Sequence, residues 1–224
     1  MQIREVTYLA VALRILIAIL AGGLLGMERG MKNRPAGMRT YMLVCVGSCL
    51  IMLTNQYVFQ VYGAGDPVRL GAQVISGIGF LGAGTIVVTR RNQIKGLTTA
   101  AGLWASAGIG LALGIGFYEG ALTAGLAIYL ILTALQRWDD KMHQNAKVME
   151  LYIEQAEDRS LGSLIRQLRG MDVEIDGLQT ENDGAIEDGA RAMIVTLRLR
   201  KKSNHPLLIK DIMKMDGVLY VEEL

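Results

Sequence analysis

Residues 40–65 form a run of 26 amino acids without a charged side chain. Three more uncharged runs follow, at 70–89, 96–118 and 120–136. Each run is close to the roughly 20 residues that a helix needs to cross about 30 Å of hydrocarbon. Several such runs in one chain are typical of a multi-pass membrane protein. The polar residues of this part therefore have to be interpreted against a lipid solvent.

The composition divides the chain into two parts. Residues 1–138 hold 21 of the 27 glycines, with 11 basic residues against four acidic ones. Residues 139–224 hold 12 basic residues against 17 acidic ones. This asymmetry predicts a transmembrane domain at 1–138, a linker at 139–146 and a soluble domain at 147–224. No basic helix with interleaved aromatic residues occurs in the sequence, so a nucleic-acid partner is not expected.

The uncharged runs predict an all-α bundle of five membrane-spanning helices, at 7–27, 38–59, 68–89, 97–116 and 118–136. Lys and Arg concentrate in the loops after the first, third and fifth helices, whereas the opposite side has only Arg4 and Arg69. Cytoplasmic loops of membrane proteins are enriched in Lys and Arg. We therefore expect the N-terminus outside and the C-terminal domain in the cytoplasm.

The hydrophobic period changes after Trp138. Alternating residues predict strands at 148–155, 171–178, 192–199 and 218–222, and helical spacing predicts helices over 159–169 and 206–215. The expected order is βαββαβ, the split βαβ arrangement of a small α+β, ferredoxin-like domain. Its two helices are expected on one face of a single sheet.

Small residues recur at every fourth position in two of the predicted spans. They are Gly22, Gly26 and Gly30 in the first, and Gly102, Ser106, Gly110 and Gly114 in the fourth. Such ladders let two helix backbones approach closely. They indicate either packing within one chain or the seam of a homodimer. Cys45 and Cys49 share a face of the second span and are interpreted as small packing residues.

The third predicted span contains Gly77, Gly79, Gly82 and Gly84. The spacing of the first three matches a dinucleotide-binding motif, but no acidic residue stands 20 positions on, and the motif lies inside a membrane run. A nucleotide site is therefore rejected. The glycines predict a weakened or kinked helix, and such a break is tolerated when it is buried in protein or lines a cavity. Close packing and a permeation or ligand site are the two alternatives.

Glu28 and Arg29 stand at the end of the first span, where the helix dipole opposes an acid. Glu28 therefore needs a cationic partner, and Arg39 at the start of the second span is the expected one. The group is either a buried ion pair that fixes the first helical hairpin or a cation or proton site at the inner mouth.

Other polar residues near the helix ends have simpler expected roles. Asp66, followed by Pro67, is expected to be the N-cap of the third span. Arg69 lies in its first turn, where the dipole disfavours a cation. Arg14, about two turns inside the first span, is expected either to snorkel outward or to pair within the bundle. Thr98 and Thr99 are expected to cap the fourth span.

Catalytic and metal-binding arrangements do not stand out in the sequence. The two histidines, His143 and His205, lie outside the spans, and no paired carboxylates or catalytic triad can be recognised. An enzyme, a metal site and a cofactor are therefore not expected.

Four long segments carry a resemblance to a known family. Residues 13–30, 36–48, 69–86 and 96–116 keep their order and together resemble the MgtC/SapB family. The resemblance implies that the following positions belong to the family's motifs: Glu28, Arg29, Arg39, Thr40, Arg69, Ser76, Gly77, Gly79, Gly82, Gly84, Thr98, Thr99 and Trp104. With Arg14 and Asp66 these are the candidate functional residues.

The resemblance also implies a function. It places the protein in the bacterial inner membrane, with an ACT-like cytoplasmic domain, in adaptation to low magnesium and, in some pathogens, in virulence. It implies a membrane-protein partner such as the ATP synthase besides the lipid bilayer. Because the spans hold few carboxylates for Mg²⁺, the first hypothesis is a regulator of another membrane protein or of membrane potential, with a sensing cytoplasmic domain. The alternative is a secondary transporter or channel for an ion such as Mg²⁺ or a small solute.

Overall fold

The structure is a computed structural model that describes residues 5–32, 34–63, 65–66, 68–89, 93–136, 138, 142, 146–171, 173–181, 190–199 and 205–224. The chain divides into two compact units, Met1–Gln136 and Arg137–Leu224. The first unit is mostly helical and the second contains a small sheet. Pro67 and residues 182–189 lie outside the described residues.

The first unit consists of helices joined by short connections. They are α1 (Tyr8–Met31), α2 (Met38–Tyr62), α3 (Arg69–Thr85), α4 (Leu97–Gly114) and α5 (Tyr118–Leu130), the last continued by a π-helical segment, Ile131–Leu135. Within the described residues, α1, α2, α4 and the extended α5 are long and apolar enough to cross a membrane. The shorter α3 has 17 residues, which corresponds to a length of about 26 Å.

The third helix ends at Thr85 and not at Thr89, as the uncharged run predicts. Val87–Val88 (β1) pairs with Ile94–Lys95 (β2) in a small antiparallel hairpin. The residues after Thr85 are mostly β-branched, and such residues favour extended backbone. The predicted helix over 86–89 is therefore wrong.

One face of α2 receives the glycine ladder of α1. A Cβ atom at Gly22 would lie 2.7 Å from the carbonyl oxygen of Tyr41, and one at Gly26 would lie 2.6 Å from the Cα of Met38. Real Cβ atoms do not approach backbone so closely. Glycine is therefore required at both positions for α1 and α2 to pack at this distance.

The ladder of α4 also packs against α2. A Cβ at Gly110 would overlap the carbonyl oxygen of Cys45, and the Ser106 hydroxyl donates a hydrogen bond to the carbonyl oxygen of Tyr41 at 3.2 Å. Cys45 and Cys49 are buried free thiols in this contact. Both ladders thus pack within one chain, which confirms the intramolecular interpretation and leaves neither ladder open as a dimer seam.

The second unit has the predicted element order. It comprises β3 (Val148–Ala156), α6 (Leu161–Arg169), β4 (Val173–Glu181), β5 (Ala190–Leu199), α7 (His205–Ile212) and β6 (Val218–Glu223). The strands form an antiparallel sheet in the order β4-β5-β3-β6. Leu164 and Leu168 of α6 and Ile212 of α7 join the same apolar core as Leu151 and Val195 of the sheet. Both helices therefore cover one face of the sheet.

Candidate functional site

A buried charged cluster lies at the C-terminal end of α1. Glu28 is 8% exposed and Arg29 is 3% exposed. The Lys32 ammonium lies 2.8 Å from Oε1 of Glu28, and Nη1 of Arg29 lies 3.9 Å from Oε2. Nη2 of Arg29 donates a hydrogen bond to the hydroxyl of Thr99 at 3.1 Å. The cluster therefore connects the end of α1 to the first turn of α4.

The hydrogen bonding of this cluster is incomplete. Among the described residues, no donor reaches either carboxylate oxygen of Glu28 in hydrogen-bonding geometry, although the Lys32 ammonium is close, and Nε of Arg29 lacks an acceptor. One carboxylate next to two cationic side chains is a poor site for a further cation. The Lys32 side chain is 34% exposed, so it can withdraw into water. The carboxylate becomes open to a cation or a proton only after that withdrawal.

Arg39 does not provide the partner of Glu28 that the sequence suggested. Its side chain is exposed on α2, next to the exposed Thr40. Lys32 takes this role because residues four apart on a helix lie on the same face, within reach of each other. The predicted pairing of Glu28 with Arg39 is therefore wrong within the described residues.

A second polar cluster surrounds Arg14, whose side chain is fully buried. Its Nη1 atom donates to Oε1 of Gln56 at 2.7 Å and to the carbonyl oxygen of Gly114 at 2.6 Å. Its Nε atom donates to the Tyr118 hydroxyl at 3.1 Å, and the guanidinium lies 5.9 Å from the centre of that ring. Arg14 therefore pairs within the bundle and joins α1, α2, α4 and α5.

The two arginines of α1 bind opposite ends of α4. Arg29 contacts Thr99 near its beginning, and Arg14 contacts Gly114 at its end. Because α1 and α4 run antiparallel, fifteen residues separate the contact points on each helix, a span of about 22 Å. The sequence left open whether Arg14, Glu28, Arg39 and Arg69 form one cluster. Arg14 and Glu28 belong to separate clusters at the two ends of the bundle, and Arg39 and Arg69 are exposed.

The interior between these clusters is filled. Ala18, Tyr41, Cys45, Cys49 and Ala107 have no exposed surface. The closely packed glycines of α1 and α4 lie at the same level. Buried side chains and close helix contacts therefore occupy the space between the two clusters, and the Ser106 and Tyr41 hydroxyls there donate to backbone carbonyls.

The glycine-rich α3 is a continuous α-helix from Arg69 to Thr85, so its glycines do not break the helix. Each glycine weakens a helix by only about 1 kcal/mol relative to alanine. In a bilayer, the backbone groups of a broken helix would need other partners. The helical hydrogen bonds are therefore kept in spite of the glycines.

Most of the small residues of α3 face away from the other helices. Ser76, Gly77, Gly79 and Gly84 are exposed, and a Cβ atom at any of these three glycines would meet nothing within 4 Å. Gly82 differs, because a Cβ there would lie 3.4 Å from the Cβ of Ala100. Close packing within the chain is thus the role of Gly82 but not of its neighbours.

A groove of about 790 Å³ separates α2 from α3. Thr40, Gly47, Gln73, Gly77 and Leu81 are among the residues that line it. The groove is mainly apolar and opens to the surface of the unit. Gly77 therefore lines an open groove and not an enclosed permeation path.

The beginning of α3 differs from the predicted cap. Oδ1 of Asp66 accepts a hydrogen bond from the backbone N–H of Val68 at 2.9 Å, and the helix begins only at Arg69. Asp66 thus stabilises the turn before the helix, while Arg69 is exposed at its first position. The expectation that Asp66 is the N-cap itself is wrong, because the helix starts later than predicted.

The predicted threonine cap of α4 is also wrong. The N-cap is Gly96, which adopts a left-handed conformation with φ of 102°. Thr98 is exposed, whereas Thr99 is buried and binds Arg29. A Cβ at Gly96 would overlap the carbonyl oxygen of Thr85, so only glycine fits this close approach. Trp104, further along α4, is about half exposed.

Comparison with known proteins identifies the family of the chain. The model of the MgtC family matches residues 15–141. The chain belongs to the MgtC family. The resemblance seen in the sequence is thereby confirmed, and together with the four long apolar helices it identifies a multi-pass membrane protein of a magnesium-related family.

Relatives of this MgtC family protein differ in how much of it they match. Protein SapB of Bacillus subtilis strain 168 is 31% identical over 95% of this chain and 94% of its own length. The putative magnesium transporter YhiD of Escherichia coli strain K12 is 42% identical over 54% of this chain and 58% of its own length. Protein MgtC of Salmonella typhimurium strain LT2 is 40% identical over 59% of this chain and 55% of its own length. No solved structure matches the chain.

Lys32 belongs to the Glu28 cluster, and Gln56 and Tyr118 belong to the Arg14 cluster, although the sequence analysis did not identify these three residues. Lys32 could have been found, because it stands four residues after Glu28 on the same helix. The sequence does not distinguish Gln56 and Tyr118 from the many other polar residues in the apolar runs, so their roles could not be predicted. Among the described residues, no three His, Cys, Asp or Glu side chains group closely enough to hold a metal ion.

Proposed function

We propose that this MgtC family protein is a regulator in the bacterial inner membrane that supports growth at low magnesium. It acts on another membrane protein or on membrane potential. It has five spans including α3, its N-terminus is outside, and its second unit is an ACT-like sensing domain in the cytoplasm. The proposal is supported by the placement of Lys and Arg in the loops and by the βαββαβ order of the second unit.

The filled interior of the helical unit is the observation that carries the regulatory role. A transporter needs a polar route or a broken helix near the middle of the membrane. In the described residues α3 is unbroken, and fully buried side chains occupy the space between the Arg14 and Glu28 clusters. These observations support a regulatory role over transport by a single copy of the chain.

The Glu28 carboxylate supports transport as the second candidate function. It is buried, its oxygens lack hydrogen bonds from described donors, and its nearest cation is the partly exposed Lys32. Acidic residues inside membranes often mark ion or proton pathways. A cation that replaced the Lys32 ammonium would give this MgtC family protein a binding step at one end of the bundle.

We expect no ion flux through the purified protein in proteoliposomes. Mg²⁺, K⁺ and H⁺ fluxes should equal those of empty liposomes, both for the native chain and for Glu28→Gln, because buried side chains occupy the space between the two clusters. Circular dichroism and protease accessibility of the second unit control for folding and orientation. Flux above the empty-liposome level that is lost in Glu28→Gln would establish the transporter instead.

The open face of α3 supports contact with another membrane protein. Lipid-facing helix surfaces do not require glycine, whereas small residues are enriched where transmembrane helices meet. Here Gly77 and Gly84, seven residues apart on one side of α3, are exposed together with Phe80, which is 83% exposed. A partner helix could approach the backbone of α3 closely along this face.

Gly84→Leu is expected to abolish growth support at low magnesium without changing the stability of the protein. Nothing lies within 4 Å of a Cβ at Gly84, so leucine fits the isolated chain but blocks a close partner. Growth of a strain lacking its own copy, complemented with each variant, measures the effect. Gly108→Leu is the matched control, because a Cβ at that glycine of α4 also meets nothing within 4 Å. Full growth with Gly84→Leu would exclude this face as the contact.

A further inference from the structure

The histidine that begins α7 is buried in an unusual hydrogen-bonding environment. His205 is 1% exposed. Its Nδ1 atom lies 2.6 Å from Oε1 of Glu223 on β6, and its Nε2 atom lies 3.0 Å from the backbone carbonyl oxygen of Ala146. Ala146 stands two residues before β3, at the end of the predicted linker. One imidazole thus connects the linker end, α7 and the last strand.

The two contacts require two protons. The Ala146 carbonyl can only accept a hydrogen bond, so Nε2 must carry a hydrogen. A second proton must lie between Nδ1 and the Glu223 carboxylate, since otherwise a ring lone pair would face a negative charge. Both contacts therefore exist together only when the His205–Glu223 pair holds two protons, as an imidazolium beside a carboxylate does.

Loss of one proton affects the two contacts unequally. A neutral imidazole has one N–H group. The hydrogen bond to a carboxylate is the stronger of the two, because charge-assisted bonds are about twice as strong as neutral ones. The remaining proton therefore stays on Nδ1, and Nε2 presents a lone pair to the Ala146 carbonyl. The contact that is lost on deprotonation is the one to the linker end.

We infer that His205 is a proton-dependent latch that holds the linker end on the second unit when protonated and releases it when neutral. The inference does not depend on whether the helical unit regulates or transports. Glu223 is about one-third exposed, so protons can exchange with water through this side of the pair. Histidine is suited to such a switch because its charge changes in the physiological range of pH.

Several elements around His205 carry charged side chains. The elements packed near the ring carry further charged residues: Lys147 and Glu150 on or just before β3, Glu222 and Glu223 on β6, and Lys210 and Asp211 on α7. Among the described residues, Glu223 is the charged group in contact with the ring. On β5, Arg198 pairs with Asp176 at 2.7 Å.

Hydrogen–deuterium exchange of the full chain in lipid nanodiscs tests the latch. The stretch that ends at Ala146 should exchange about tenfold more slowly in the native chain than in His205→Phe at about pH 6, the effect of one buried hydrogen bond, whereas Val148 and Met149 stay paired with β5 in both chains. At about pH 8 the two chains should exchange alike. Comparison at the same pH removes the intrinsic pH dependence of exchange. The control His143→Gln should behave as the native chain does.

Two further measurements keep the inference testable if His205→Phe does not fold. Nitrogen-15 spectra of the His143→Gln chain, which retains one histidine, should show both ring nitrogens protonated at about pH 6. In Glu223→Gln, the stretch that ends at Ala146 should exchange faster at about pH 6 than in the native chain, because a neutral amide stabilises the imidazolium less than a carboxylate does. A neutral ring at about pH 6, or an exchange ratio that is equal at both pH values, would overturn the latch.

Discussion

Replacing Arg14 by lysine is expected to destabilise the helical unit by about 2–4 kcal/mol, although the charge is kept. The planar guanidinium donates to Gln56, Tyr118 and the Gly114 carbonyl in different directions. A lysine ammonium is a compact point charge that cannot reproduce this geometry. Two hydrogen bonds to a charged group contribute roughly 3–6 kcal/mol in soluble proteins. The effect is smaller here because the unfolded chain finds other partners in detergent or lipid.

Equilibrium unfolding of the purified protein in mixed micelles, followed by circular dichroism, measures this change. Arg39→Lys is the matched control, since Arg39 is exposed on α2 and such surface substitutions usually change stability by less than about 0.5 kcal/mol. Similar unfolding midpoints for Arg14→Lys and Arg39→Lys would mean that the Arg14 hydrogen bonds do not hold the helices together.

The positions of the helices could be predicted from the sequence because apolar length is a local property. The runs at 40–65 and 96–118 gave α2 and α4 within a few residues. The end of α3 was missed because an uncharged run does not distinguish a helix from β-branched extended chain at 86–89. Caps also depend on where a helix begins, so the shift of α3 to Arg69 changed the role of Asp66.

The partners of the buried charges were harder to predict because they depend on how helices pack. The need of Glu28 for a cation follows from its position, yet Arg39 and Lys32 are both nearby in sequence. Helical periodicity favours Lys32, and the structure has this pair. The contacts of Arg14 join residues 42 to 104 positions apart. No pattern within a single span indicates contacts of this kind.

Gly110→Ala is expected to destabilise the helical unit by about 3 kcal/mol. A Cβ at this position would overlap the carbonyl oxygen of Cys45 and lie 2.9 Å from the Cβ of Ser48. Overpacking of a filled core usually destabilises by about 1–3 kcal/mol. The upper end applies because the obstacle is backbone, so α2 as a whole has to move. The same unfolding measurement detects the change.

Gly108→Ala separates this packing effect from the general effect of alanine in a helix. Both glycines belong to α4, but a Cβ at Gly108 meets nothing within 4 Å, so that variant should be as stable as the native chain or up to about 1 kcal/mol more stable. Equal stability of the two variants would contradict the close contact of α4 with α2. If Gly110→Ala moves α4 away from α2, Gln56 on α2 also moves away from the Gly114 carbonyl on α4. These are two of the groups that Arg14 joins. Combining Gly110→Ala with Arg14→Lys should then destabilise by less than the sum of the single effects, because the glycine ladder and the buried arginine hold the same pair of helices.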